Sequence, residues 1–213
     1  VGITRPLVVT DPGVKAAGVL QKALDALPGM PVAVFDQTPS NPTEAAVRAA
    51  VAVYQAQGCD GLIAVGGGSA IDCAKGVAIA ATHEGPLTHL RHHRRRLAAH
   101  HRPRRPLIAV PTTSGTGSEV ARGAIIIVDD HRKLGFHSWQ PVPKAAICDP
   151  ELTLGLPPLL TAATGMDAIA HCMETFMAPP STRRPTALRW TAWSAAGRTS
   201  NAPRATAATA RPA

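Results

Sequence analysis

Gly61-Leu62-Ile63-Ala64-Val65-Gly66-Gly67-Gly68-Ser69-Ala70-Ile71-Asp72-Cys73-Ala74-Lys75 decides the fold. Residues 61–65 form a short, continuous apolar run, the pattern of a strand buried on both faces. From Ser69 or Ala70 to about Ala81 the residues are good helix formers, and a triple-glycine turn joins the two elements. Toward the N-terminus the same rhythm repeats. Leu7-Val8-Val9-Thr10-Asp11 reads as a strand followed by a helix from about Lys15 to Leu27, and Pro31 to Asp36 reads as a second strand. Asn41-Pro42-Thr43-Glu44 then opens a helix, with a polar residue before Pro at the first helical position, and that helix runs to about Gln57 and stops at Gly58. Toward the C-terminus, Leu107–Val110, Ala124–Val128, Lys133–Phe136 and Ala145–Asp149 are strand-like, with a turn at Asp129–Arg132. A last helix is expected from Thr161 or Ala162 to about Met177. Strands alternating with helices predict right-handed crossovers and an α/β fold with a mainly parallel sheet covered on both faces.

The 213 residues, 45% of them hydrophobic, suit one domain or one domain plus part of a second. No apolar run approaches the roughly 18 residues of a membrane-spanning helix. Arg5, Asp11 and Lys15 interrupt any secretory signal, and a start at Val1 is expected of a fragment or a processed product. Cys59, Cys73, Cys148 and Cys172 form no C-x-x-C pair, which predicts buried thiols in a reducing cytoplasm and no disulfide framework.

The formal charge of +8 is local. Residues 86–106 hold seven Arg and residues 175–213 hold six, with no acid and no Lys in either segment. The remainder has 9 basic residues against 14 acidic ones. A nucleic-acid-binding arm mixes Lys with Arg and interleaves aromatics for stacking, so a basic nucleic-acid-binding protein is the weakest reading. Arg, His, Ala, Pro and Thr are the output of G+C-rich DNA read out of frame. The two segments are therefore expected to be wrong-frame translation, an internal patch that recovers near Pro106 and a tail that does not.

Three places carry chemistry. At Val65–Ser69, glycines let backbone approach a ligand, and free N–H groups at a helix start favour a phosphate. The usual G-x-G-x-x-G fingerprint is absent, and a plain tight turn is the competing reading. Asp36 ends the second strand, where an acid in a nucleotide fold accepts hydrogen bonds from ribose hydroxyls. Pro111-Thr112-Thr113-Ser114-Gly115-Thr116-Gly117-Ser118-Glu119 gathers hydroxyls at a strand end. It suits a second wall of a polyphosphate site, or else a hydroxyl-rich surface loop. Asp167 and His171 stand at i and i+4 on the last helix, hence on one face, with Glu174 continuing it. Such a pair ligates a divalent ion or simply makes a helix-surface contact.

Together, residues 58–75, Pro111–Glu119, Asp149-Pro150-Glu151-Leu152-Thr153 and Gly165-Met166-Asp167-Ala168-Ile169-Ala170-His171 resemble the iron-containing (group III) alcohol dehydrogenase family over roughly 1–85 and 107–177. The resemblance implies a Rossmann-like dinucleotide-binding domain (1–150, with 86–106 aberrant) and the beginning of an all-helical metal-binding domain (151–177). Most of that domain is expected to be missing, and 178–213 is expected to be an aberrant, disordered tail. It implies NAD or NADP as cofactor, with Asp36 near the adenosine ribose and favouring NAD. Gly67, Gly68 and Ser69 would hold the pyrophosphate, Thr112, Thr113 and Thr116 would line the cofactor, and Lys133 and Leu152 would approach its nicotinamide end.

Asp167 and His171 match two metal ligands, for Fe2+ or alternatively Zn2+ or Mn2+. The family's remaining ligands are histidines, and no His follows His171. The implied activity is hydride transfer between a small alcohol or aldehyde and the nicotinamide, in the cytoplasm and away from membranes. This chain itself is expected to be inactive or nearly so. The competing class is a non-catalytic nucleotide-binding module built from residues 1–150. The Asp167/His171 pair argues against metal-free relatives such as maleylacetate reductases, and the oligomeric state stays open.

Overall fold

The computed structural model describes residues 1–82, 85–90, 105–129, 131–137 and 141–177. Most of the expected wrong-frame patch and the whole tail from 178 onward lie outside the described residues. The chain forms two compact units, one of Val1–Thr113 with Gly117–Gly155, the other of Ser114–Thr116 with the residues from Leu156.

In the first unit the elements run β1 (Pro6–Val9), α1 (Pro12–Ala16), α2 (Val19–Asp25), β2 (Ala33–Phe35), α3 (Glu44–Ala56), β3 (Gly61–Gly66), α4 (Gly68–Ala80), β4 (Leu107–Pro111), β5 (Gly123–Ile127), β6 (Lys133–His137) and β7 (Ala145–Ala146). Five strands form a sheet in the order β2-β1-β3-β4-β7, every pairing parallel, with Leu7 opposite both Ala33 and Leu62, and Leu62 opposite Leu107. β5 and β6 form a separate antiparallel hairpin, Ile125 opposite Gly135.

The period of two sorts the strands' side chains onto two faces. Leu7, Val9, Leu62, Ala64, Leu107 and Ala109 join Val47, Ala50 and Tyr54 of α3, Ile71, Ala74 and Val77 of α4, and Ile126, Leu134 and Phe136 of the hairpin in one core. Val8, Ile63, Val65 and Val110 meet Leu20 of α2 in a second, smaller one.

Local chemistry corrects several expected boundaries. The single helix expected over 15–27 is two, because Gly18 takes φ +74° between α1 and α2. α3 is capped by Thr43, whose hydroxyl accepts the Ala46 N–H at 3.1 Å, and not by Asn41. A hydroxyl three residues before a free N–H outcompetes Pro42 as a helix start. β7 is two residues long, shorter than the expected 145–149, and of the four thiols expected to be buried only Cys59 and Cys73 are, Cys148 being exposed and Cys172 half-buried. In the second unit α5 spans Pro158–Met177, starting a turn earlier than the helix expected from 161 or 162.

Candidate functional site

The sheet order places a topological switch between β1 and β3, since the chain leaves β1 toward β2 and returns on its other side to form β3. At such a point the two βα turns diverge and leave a crevice at the carboxyl ends of the strands, where ligands of parallel sheets bind. The residues there are short and tightly placed. Asp11, two residues past β1, caps α1, its Oδ1 accepting the Val14 N–H at 2.9 Å. Gly66 ends β3 at φ +154°, and a Cβ on it would stand 2.6 Å from Ala70 Cβ and 3.1 Å from Asp11 Oδ2. Only glycine leaves the two turns this close together.

Gly67 is the N-cap of α4 and offers no side-chain cap. The N–H groups of the first turn are thus left to an external acceptor, at the positive end of the helix dipole. Across from it, a Cβ on Gly67 would lie 3.1 Å from Thr113 Cγ2 and 3.2 Å from Thr113 Oγ1. Thr113 Oγ1 is buried with no hydrogen-bond partner among the described residues, as is Thr10 Oγ1 at the end of β1. The Thr112 N–H donates to the Gly66 carbonyl at 3.0 Å, clamping β4 to β3 at the rim.

Gly67, Gly68, Thr112 and Thr113 are thereby brought to one strand edge. Ser69 begins the same helix, but its hydroxyl donates to the Ser40 carbonyl and braces the loop before α3. Asp36 follows β2, the strand beside β1, and is partly exposed. Its carboxylate accepts a hydrogen bond from Lys15 Nζ at 2.5 Å, and that bond with the neighbouring ammonium holds the acid below its usual range. Lys133 Nζ donates to Asn41 Oδ1 at 3.0 Å. Leu152 packs against the smaller core layer of Val8, Ile63, Val65 and Val110. Thr116 falls in the second unit.

Asp167 and His171 also belong to the second unit, on α5, with Asp167 Oδ1 3.9 Å from His171 Nε2 and both side chains about half exposed. They share a helix face, as their spacing requires. Among the described residues no group of three or more His, Cys, Asp or Glu side chains is placed to hold a metal ion.

Two features went unread in the sequence. One is the Asp11-Pro12-Gly13 turn, legible as an N-cap followed by Pro at the first helical position. The other is a buried polar network beneath the threonine loop. Lys75 is wholly buried in α4, its Nζ donating to the carbonyls of Ser118 at 2.6 Å, Ala121 at 2.8 Å and Gly123 at 2.8 Å. Asp72, 3.8 Å from Lys75, accepts the Ser118 hydroxyl at 2.5 Å and the Ile125 N–H at 2.9 Å. Burial pushes the Lys75 ammonium down and the Asp72 carboxyl up. The network ties the segment after the threonine loop to the helix that begins at the glycine turn. A lone Lys inside an apolar helical run was its only signal.

With this geometry in hand, comparison with known proteins is direct. A sequence model of the iron-containing alcohol dehydrogenase family matches residues 1–150. The chain is 70% identical over 179 residues to the 4-hydroxybutyrate dehydrogenase of Cupriavidus necator, covering 84% of this chain and 47% of that relative. Among solved structures, 1,3-propanediol oxidoreductase superposes with a TM-score of 0.77 at 40% identity, over 85% of this chain and 48% of that one. Sulfoacetaldehyde reductase from Bifidobacterium kashiwanohense, solved in complex with NAD+, superposes with a TM-score of 0.73 at 31% identity, over 82% of this chain and 46% of that one. The chain thus spans about half the length of the curated relatives it matches. The parallel sheet with its glycine turn and the matched residues 1–150 together mean that the chain belongs to the iron-containing alcohol dehydrogenase family.

Proposed function

We propose that this chain is the dinucleotide-binding part of an NAD-linked, metal-dependent alcohol dehydrogenase, and that it binds the cofactor without turning over an alcohol at a useful rate. One observation carries the first half: an uncapped helix start at Gly67 faces a buried, unpartnered Thr113 hydroxyl across a gap that a single methyl group would close. A diphosphate set at the rim of that contact, not within it, accepts from the first-turn N–H groups of α4 at the positive end of the helix dipole. Gly67, Gly68 and Ser69 hold the diphosphate through their backbone, and Asp36 receives the adenosine ribose. Thr112 and Thr113 line the remainder, with Lys133 and Leu152 toward the nicotinamide end. The bound nicotinamide would supply the redox chemistry by accepting or donating hydride.

The family pairs NAD(H) with a divalent metal, and Asp167 and His171 would contribute two ligands to one. The described residues supply no third, so the second half of the proposal follows: polarisation of an alcohol oxygen is not sustained by this chain. For the whole protein the substrate is a small alcohol or aldehyde, and the hydroxy acid named for the 70%-identical relative is the first to try. Four cysteines without disulfides support a cytoplasmic location, and no described helix is long and apolar enough to cross a membrane.

The test is calorimetric titration of the 213-residue chain with NAD+. Wild type is expected to bind, Gly67→Val to lose binding while keeping its circular dichroism spectrum, and ADP-ribose to compete. A folded wild-type chain that binds neither NAD+ nor ADP-ribose removes the proposal. Robust NAD-linked alcohol oxidation by the purified chain removes its second half alone.

A further inference from the structure

Lys15 stands out because the functional reading does not use it. It is the last basic residue of the short α1, more than half exposed, and it spends its ammonium on Asp36 at 2.5 Å. An exposed lysine gains little from a surface ion pair, because ordering the two side chains offsets most of the attraction. Here the partner is the acid at the end of β2, the position that in a nucleotide-binding sheet meets the adenosine ribose. A lone carboxylate there accepts hydrogen bonds from the 2′- and 3′-hydroxyls and repels a 2′-phosphate. Joined to an ammonium, the same carboxylate is neutralised, and the cation remains available as a phosphate ligand on a flexible stem.

Resting on the dinucleotide reading above, we propose that Lys15 sets the choice between NAD+ and NADP+. By pairing with Asp36 it lets the ribose end of the site admit a 2′-phosphate as well as a free hydroxyl. With NAD+, one carboxylate oxygen of Asp36 accepts from the ribose while the other keeps its bond to Lys15. With NADP+, Lys15 swings from Asp36 to the phosphate, and the repulsion between acid and phosphate is offset. The cation is surface-exposed, so salt weakens its contribution.

The experiment compares NAD+ and NADP+ titrations of wild type, Lys15→Met, Lys15→Arg and Asp36→Asn, each checked for an unchanged circular dichroism spectrum. Wild type is expected to bind NADP+ within about tenfold of NAD+. Lys15→Met widens the gap by about another tenfold, the size of one near-surface charge contact. Lys15→Arg restores the wild-type ratio, because the charge is kept, and Asp36→Asn shifts the ratio toward NADP+. Raising the salt concentration narrows the difference between wild type and Lys15→Met. If NAD+ binds and Lys15→Met leaves the NAD+/NADP+ ratio unmoved, Lys15 has no part in the choice and the inference fails alone. If wild type binds neither nucleotide, the dinucleotide reading fails and this inference goes with it.

Discussion

At the scale of single residues, the buried Lys75 is the most consequential group. Its three carbonyl acceptors belong to residues 118–123, and the side chain has no exposure to solvent. Removing one member of a buried ionic pair leaves the others unpaired in a poorly solvating interior. Lys75→Met is expected to lower unfolding free energy by about 3 kcal/mol or more, and Asp72→Asn by about 1–3 kcal/mol, both read from urea denaturation.

Asp60 makes a more exposed contact of a different kind. It accepts the Thr4 hydroxyl at 2.5 Å and the N–H groups of Thr4 and Arg5 at 2.9 Å, pinning the N-terminal segment beside β3. These bonds, that of the Thr4 hydroxyl foremost, lower the Asp60 acid below 3.8. A lowered carboxyl contributes stability that is complete above its unfolded value and lost as the pH falls through the folded one. Stability of wild type should therefore drop below about pH 4, and Asp60→Asn should flatten that acid limb. Denaturation midpoints measured across pH 2–6 would decide it.

Elements settle where glycine is tolerated. Gly76 sits in the interior of α4, where Ala is favoured by about 1 kcal/mol on propensity alone. Yet a Cβ there would stand 2.8 Å from Ile126 Cδ1 of the hairpin and 2.8 Å from Val47 Cγ2 of α3. Overpacking of a dense core costs about 1–3 kcal/mol, so Gly76→Ala is expected to lower the melting temperature. A higher melting temperature would mean that α3 and the hairpin yield more easily than their packing indicates. The hairpin turn carries an opposite case. His131 adopts φ +62°, a left-handed conformation without a Cβ-free residue. His131→Gly should raise stability by about 1 kcal/mol or less, measured by the same melt.

For the whole molecule, the described residues of the α/β unit pack into two cores, whereas the half-exposed Asp167 and His171, proposed as metal ligands, share one helix face in the second unit. A chelator should therefore leave the thermal transition of the α/β unit where it is, and added Zn2+ should not raise it. A large metal-dependent shift would show that the described residues do not hold the full ligand set. The Arg-rich segments make a prediction at the level of the gene. Translated in its other frames, the DNA encoding residues 86–106 and 178–213 is expected to yield acidic, family-like sequence and further histidines. A verified single frame through both would retire the idea.

Strand and helix order, the parallel sheet and the glycine turn were legible in the sequence because they follow from local pattern. A continuous apolar run of five, a helix-forming stretch and a three-glycine junction restrict the backbone irrespective of what packs on it. The spacing of Asp167 and His171 likewise put them on one face. What the tertiary structure alone decided depends on partners far apart in the chain. Gly18 splitting a helix and Thr43 displacing Asn41 as a cap are close competitions in local energy that the sequence pattern leaves open. The Lys15–Asp36 pair, the closure of Gly67 on Thr113 and the carbonyl cage of Lys75 join residues 21, 46 and up to 48 positions apart. No periodicity records such distances, because they are created only when parallel strands bring their carboxyl ends to one edge.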